Sequence, residues 1–342
     1  MTGFKRVPAQ PSRSRYSELY ERYADLLSVD RLVGRWEIAR FDDTPGDVSK
    51  GMRPVVTGEI PHALEFIATT SRGIVIWRQG GIQGWRRGRF FGITLQEGRA
   101  YSFHETGRHG RIVSLDLESN LGGEMVTHIW GLNRWIHQID FIDDDLVVVD
   151  TLRNRFLLYP NVEDLRSRHH SARHQVINPT PRDRKGRRSP HYRTFNSVYR
   201  HEDRIYVVAH NHSVVTGRES EVWVFDKDWA LLETLPTGGH CCHNVVSHED
   251  GLVINHSLEQ AVTIDGLEVA KTKGFNRGIA YNGEYILIGS SIFAEDHTQR
   301  DHDDAFVEVF DRNFKPVGQI VLPQCSLRDV RFLNGDRSLS NQ

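Results

Sequence analysis

The chain has 342 residues, 38% of them hydrophobic and 26% charged, with a formal net charge of -2. This is enough apolar material for a core, it is far from the composition of a disordered chain, and the length fits one large all-β domain. The near-zero charge predicts no polyanionic partner for the molecule as a whole, and three cysteines, two of them adjacent (Cys241, Cys242 and Cys325), argue against a disulfide framework.

The first sixteen residues lack the apolar stretch of a secretory signal, and no run approaches eighteen apolar residues. The expectation is a soluble protein of a reducing compartment, cytoplasmic and without a membrane partner. Between Ser14 and Gly34 the residues Tyr16, Leu19, Tyr20, Tyr23, Leu26 and Leu27 recur at helical spacing, and Gly34 offers a left-handed stop. Residues 1–60 are therefore read as an N-terminal helical extension.

From residue 61 to 342 the pattern is β. Short runs rich in Val, Ile, Tyr and Phe alternate with Gly, Asp and Asn turns, as in Ile139 to Asp150 and Gly278 to Gly289, and each reads as a hairpin. A polar residue, a small or polar residue and an apolar pair begin such units near Phe91, His137, Asn196, His243, Arg277 and Arg328, at separations of 46, 59, 47, 34 and 51 residues. That spacing is the period of four-stranded propeller blades. Phe225-Asp-Lys-Asp-Trp229 and Phe310-Asp-Arg-Asn-Phe314 form a second internal match, a turn whose Asp binds its own backbone while the aromatics cover the neighbouring blade. The last unit has too little chain after it to complete a blade, whereas residues 62–78 supply strands without an inner partner. The fold class expected is an all-β propeller of six blades, five continuous and one closed by pairing the N- and C-terminal strands.

The segment 165–193 breaks the period. It is strongly basic and histidine-rich, with Asp183 its only acid between Leu165 and Arg193, and reads as a long inserted loop: solvated, or an anion-attracting lid. Nucleic acid is not the expected partner, because only Tyr192 offers a ring for stacking.

Blade register gives the candidate site. Strand starts should bring Phe91, His137, Asn196, His243, Arg277 and Arg328 to one mouth of the channel, and the ends of the second strands should add His104, Asp150, His210 with His212, His256 and Ser290. Three imidazoles, His137, His210 and His243, are the candidate ligands of a divalent metal ion such as Zn, Fe or Mn. Asp150 and His256 are the catalytic candidates, and Arg277, Arg328 and Asn196 are the candidates for binding substrate, since guanidinium groups grip carboxylate or phosphate. In Gly239-His-Cys-Cys-His-Asn244, strand alternation would put His240 and Cys242 on one side and Cys241 and His243 on the other, with the thiols as packing groups. No phosphate-binding glycine loop, nucleophile elbow or H-E-x-x-H helix occurs.

The stretch Asn276 to Ser291 resembles an inner hairpin of six-bladed propellers of the gluconolactonase and strictosidine-synthase type. The resemblance is fold-level and implies a channel metal held by Glu, Asn and Asp; here Asn196, Asn244 and Asp150 or Asp329 are similar, while histidines stand at other positions. The reading that follows is a metal-dependent hydrolase or lyase acting on a small anionic metabolite. The alternatives are a non-catalytic propeller that binds a protein or glycan, and an oxygenase with histidine-bound iron.

Overall fold

The structure is a computed structural model that describes residues 52–107, 109–171, 174–179, 193–293 and 301–337. Six mainly antiparallel sheets surround one axis. Blade 1 begins with Arg89–Gln96, blade 2 with Ile136–Ile142, blade 3 with Phe195–His201, blade 4 with His243–His248 and blade 5 with Phe275–Tyr281. Blade 6 takes its inner strand, Leu327–Phe332, from the C-terminal end and its other three, Phe66–Thr70, Gly73–Arg78 and Gly81–Arg87, from the N-terminal part of the described chain. The register Phe66 with Phe332 to Thr69 with Asp329 closes the ring, as the incomplete last repeat requires. The expected helix over 14–34 lies outside the described residues, and no described helix is long and apolar enough to cross a membrane.

Two segments differ from the expected loops and boundaries. Val55–Gly58 adds a fifth strand to blade 5, paired with Gly318 to Val321. The basic segment is partly regular: Arg168–His169 pairs parallel with Ile129 and Trp130 of blade 1, and Gln175–Ile177 is the outermost strand of blade 2. Without it blade 2 would have three strands, so the insertion carries the missing edge. Residues 180–192 lie outside the described set.

Between blades the cores are apolar, as propeller faces demand, and the two Asp-containing turns act as clips. Asp226 Oδ1 accepts from the backbone N of Asp228 and Ala230 at 2.9 and 2.8 Å, and Asp311 Oδ1 from Asn313 and Lys315 at 2.8 and 2.9 Å. Each turn ends in a left-handed aromatic, Trp229 or Phe314. Trp229 stacks on Phe156 of blade 2 at 4.9 Å, and Phe314 packs on His248 of blade 4 at 5.6 Å.

Toward the axis the packing becomes polar. Side chains of the inner strands bind the backbone of the next blade: Gln138 Oε1 accepts from Val198 N at 2.6 Å, Asn244 Oδ1 from Gly278 N at 2.8 Å, and Asp329 Oδ2 from Ile93 N at 3.2 Å. Thr94 donates to Asp140 at 2.7 Å, Asn196 Nδ2 to the Cys242 carbonyl at 2.8 Å, and Arg331 to the Ile279 carbonyl at 3.1 Å. All six blade junctions are thereby tied. Arg331, 1% exposed, also pairs with Asp329 at 2.8 Å. Burial works against its cation, but Asp329, Asp336 and Asp140 outweigh that and hold its pKa above the ordinary value.

Removing one partner of a buried ion pair leaves an uncompensated charge, at a cost of about 3–5 kcal/mol. Arg331→Met is expected to lose that much in equilibrium urea unfolding, since three buried carboxylates lose their cation. A loss below about 1 kcal/mol, the range of surface pairs, would show that the network does not hold the ring.

Candidate functional site at the head of the propeller axis

Every inner strand carries a register shift at its head, at or beside Gly92, His137, Asn196, Asn244, Gly278 and Arg328. A bulge places two residues against one and re-aims a side chain; six in a ring turn their side chains toward the axis. Blades 1 and 5 need glycine there. Gly92 has φ 55° and a Cβ on it would meet Gln138 Cα at 2.7 Å, while Gly278 has φ 79° and would meet Val330 N at 2.8 Å. Asn244 takes the same left-handed conformation, φ 57°, which Asn tolerates better than most residues.

The result is a small pocket, open to solvent, lined by Phe91, His137, Gln138, Asn196, His243, Asn244, Arg277, Arg328 and Asp329. All six strand starts identified in the sequence converge on it. His210 packs its ring edge-on against His243, centroids 5.3 Å apart, and Phe275 does so from another side at 5.4 Å. Arg328 lies over the Phe91 ring at 4.8 Å and pairs with Asp301 at 3.0 Å; Arg277 lies over Phe275 at 5.6 Å.

The two cavity histidines are held alike. His137 Nδ1 is 2.8 Å from Thr151 Oγ1, whose own hydrogen goes to the Phe195 carbonyl at 2.6 Å. His243 Nδ1 is 2.8 Å from the Cys241 carbonyl and 2.9 Å from Ser257 Oγ, whose hydrogen goes to the Asn276 carbonyl at 2.7 Å. A carbonyl only accepts, so in each chain of hydrogen bonds the imidazole must donate. Both rings carry a proton on Nδ1, and in His243 Nε2 is the lone-pair nitrogen. Burial keeps His243 well below the ordinary histidine range, and the charges of Arg277, His210 and His137 push it the same way.

Asp150 and His256, expected at this mouth, do not line the cavity. Asp150 accepts from Asn133 Nδ2 at 2.7 Å and Arg155 Nε at 2.8 Å and caps the short turn Thr151–Arg153. His256 Nε2 lies 3.1 Å from Thr263 Oγ1, with the Gly239 backbone over its ring. The residue after each, Thr151 or Ser257, is the one that reaches the site, because side chains alternate and a one-residue step changes the face. His104 likewise packs elsewhere, stacked on Phe90 at 4.4 Å. The expected strand alternation through His240 to His243 fails, since Cys241 takes φ 53°. All three cysteines are buried outside any disulfide, and burial pushes the Cys242 and Cys325 thiols up to about 12, so these two pack rather than react.

The donor set does not fit a resident divalent ion. Among the described residues no three His, Cys, Asp or Glu side chains group closely enough to hold one. Two guanidinium groups share the cavity with the imidazoles, and the carboxylate on its wall, Asp329, is paired with Arg331.

No protein-family model and no curated protein matches the chain. Among solved structures it is similar to a nidogen/laminin complex, with TM-score 0.51 and 9% identity over 81% of this chain and 99% of that one. The likeness is one of fold. A putative 6-phosphogluconolactonase from Bacteroides fragilis matches with TM-score 0.48 and 12% identity over 84% and 100% of the two chains. A quinonprotein alcohol dehydrogenase-like protein from Bacteroides thetaiotaomicron matches with TM-score 0.44 and 12% identity over 87% and 71%. At such identities an activity does not transfer.

Two predictions follow from the imidazoles. In two-bond ¹H–¹⁵N spectra His137 and His243 should show a protonated Nδ1; Thr151→Val should let His137 populate the Nε2–H form and Thr151→Ser should restore the wild-type pattern, whereas an unchanged spectrum in Thr151→Val would refute the lock. Second, the unfolded chain takes up a proton on His243 below about pH 6.5 that the native ring refuses. This group's contribution is therefore complete above about 6.5 and is lost as pH falls, by up to about 1.4 kcal/mol per pH unit. His256, also lowered by burial, adds to the same trend. His243→Gln should flatten the fall of stability between pH 7.5 and 5.5, measured by urea unfolding at each pH, and an equally steep fall in the variant would contradict this assignment.

Proposed function

We propose that the protein is an enzyme that binds a small anionic metabolite at the head of the propeller axis and carries out proton-transfer chemistry of the hydrolase or lyase type. Arg277 and Arg328 hold the anion, and the Nε2 atoms of His243 and His137 serve as bases. The observation that carries the reading is a buried, neutral His243 with its tautomer fixed, in one cavity with Arg277. Catalytic groups with strongly displaced pKa values cluster at functional sites. The same field explains how the base gains strength when needed. An anion on Arg277 cancels part of the positive field that weakens His243, so the imidazole becomes more basic once substrate is bound. No step requires a metal ion, and the gluconolactonase-type resemblance is weaker support, because histidine and arginine stand at the mouth.

Purified protein incubated with a soluble metabolite extract, followed by mass spectrometry, should deplete at least one small anion. His243→Gln should slow that depletion at least a hundredfold, in line with loss of a general base, and Arg277→Gln should raise the concentration needed for half-maximal rate. If wild type consumes no anion, the enzyme reading fails in favour of a propeller that only binds a partner.

A further inference from the structure

We infer that the anion recognised at the axial cavity carries a neutral hydroxyl group, and that Asn196 is the residue that reads it; this rests on the anion-binding reading above. Asn196 stands at the bulge of blade 3 and is 4% exposed, yet it lines the cavity. Its amide orientation is not a free choice. Nδ2 donates to the Cys242 carbonyl at 2.8 Å, so the other atom is the carbonyl oxygen Oδ1. Oδ1 is buried and has no hydrogen-bond partner among the described residues. Buried side-chain acceptors nearly always have a donor, and an exception in a cavity points to a group that arrives from outside.

The rest of the wall narrows what that group is. His243 is fixed as its Nδ1–H tautomer, so its Nε2 and Asn196 Oδ1 are both acceptors on residues that line the pocket. The cations Arg277 and Arg328 share the same space. A bare oxyanion satisfies the arginines but sets its lone pairs against those acceptors. An ammonium group satisfies the acceptors but meets the positive field of two guanidinium groups. A hydroxylated oxyanion matches both halves of the wall: its carboxylate or phosphate accepts from arginine, and its hydroxyl donates to Asn196 Oδ1.

Titration calorimetry with matched pairs tests this: L-malate against succinate for a carboxylate, and sn-glycerol 3-phosphate against n-propyl phosphate for a phosphate. In at least one pair the hydroxylated member should bind at least tenfold more tightly to wild type, and the pair that responds identifies the oxyanion. In Asn196→Leu that ratio should fall below threefold while the deoxy member keeps its affinity. Equal affinities within both pairs overturn the inference and leave the anion site standing. Absence of binding by all four overturns both. A ratio that survives in a folded Asn196→Leu overturns the role of Asn196. The wild-type comparison decides the ligand class even if that variant does not fold.

Discussion

Inner strands of adjacent blades run side by side around the axis without pairing as a sheet, so one edge of each inner strand lacks a ladder partner. Unmet backbone groups in a buried position are costly, and they must be satisfied by something other than a sheet. In this protein part of the answer is a ring of polar side chains, in which Gln138, Asn196, Asn244, Asp329 and Arg331 each bond backbone across a blade junction and Thr94 bonds Asp140 across the sixth. The rest of the structure depends on that constraint. It makes the axis polar in a molecule whose blade interfaces are apolar, and it places fixed, buried polar groups beside the pocket that residues of all six blades line.

The candidate site is the same ring seen one step further toward the mouth. The bulges that open the strand heads serve both purposes, since they turn one side chain across the junction and its neighbour into the cavity. Blade 4 shows it most clearly: Asn244 closes the junction to Gly278 while His243, immediately before it, faces the cavity. Stability and function are therefore coupled through adjacent residues, and the rigidity of the junction is what allows an imidazole to be held in a single tautomer.

The parallel between His137 with Thr151 and His243 with Ser257 repeats one local design two blades apart. In both, a hydroxyl residue directly after the second strand relays the histidine proton to a carbonyl of the next inner strand. The imidazole is thus oriented by a hydroxyl of its own blade that is itself fixed by the neighbouring blade, which makes the site a property of the assembled ring. The positive field of Arg277 adds to burial in keeping His243 neutral.

What the amino-acid sequence determined by itself was the repeat: polar heads before apolar pairs at blade spacing, the paired Asp turns, and an unfinished last unit that has to close on residues 62–78. Periodicity is a local property, and the six strand heads inherit their place at the axis from it, which is why Phe91, His137, Asn196, His243, Arg277 and Arg328 were legible as one group. Tertiary structure alone decided the rest. Asp150 against Thr151, and His256 against Ser257, differ by a single residue, and the side of a strand end that faces the axis depends on a bulge and a turn that propensity does not reveal. The basic segment looked like a loop because its strands are short and polar, and only the open edges of blades 1 and 2 made strands of it. Whether imidazoles at a channel mouth gather around a cation or share their space with arginines is set by distances between blades far apart in the chain, and those exist only once the ring has closed.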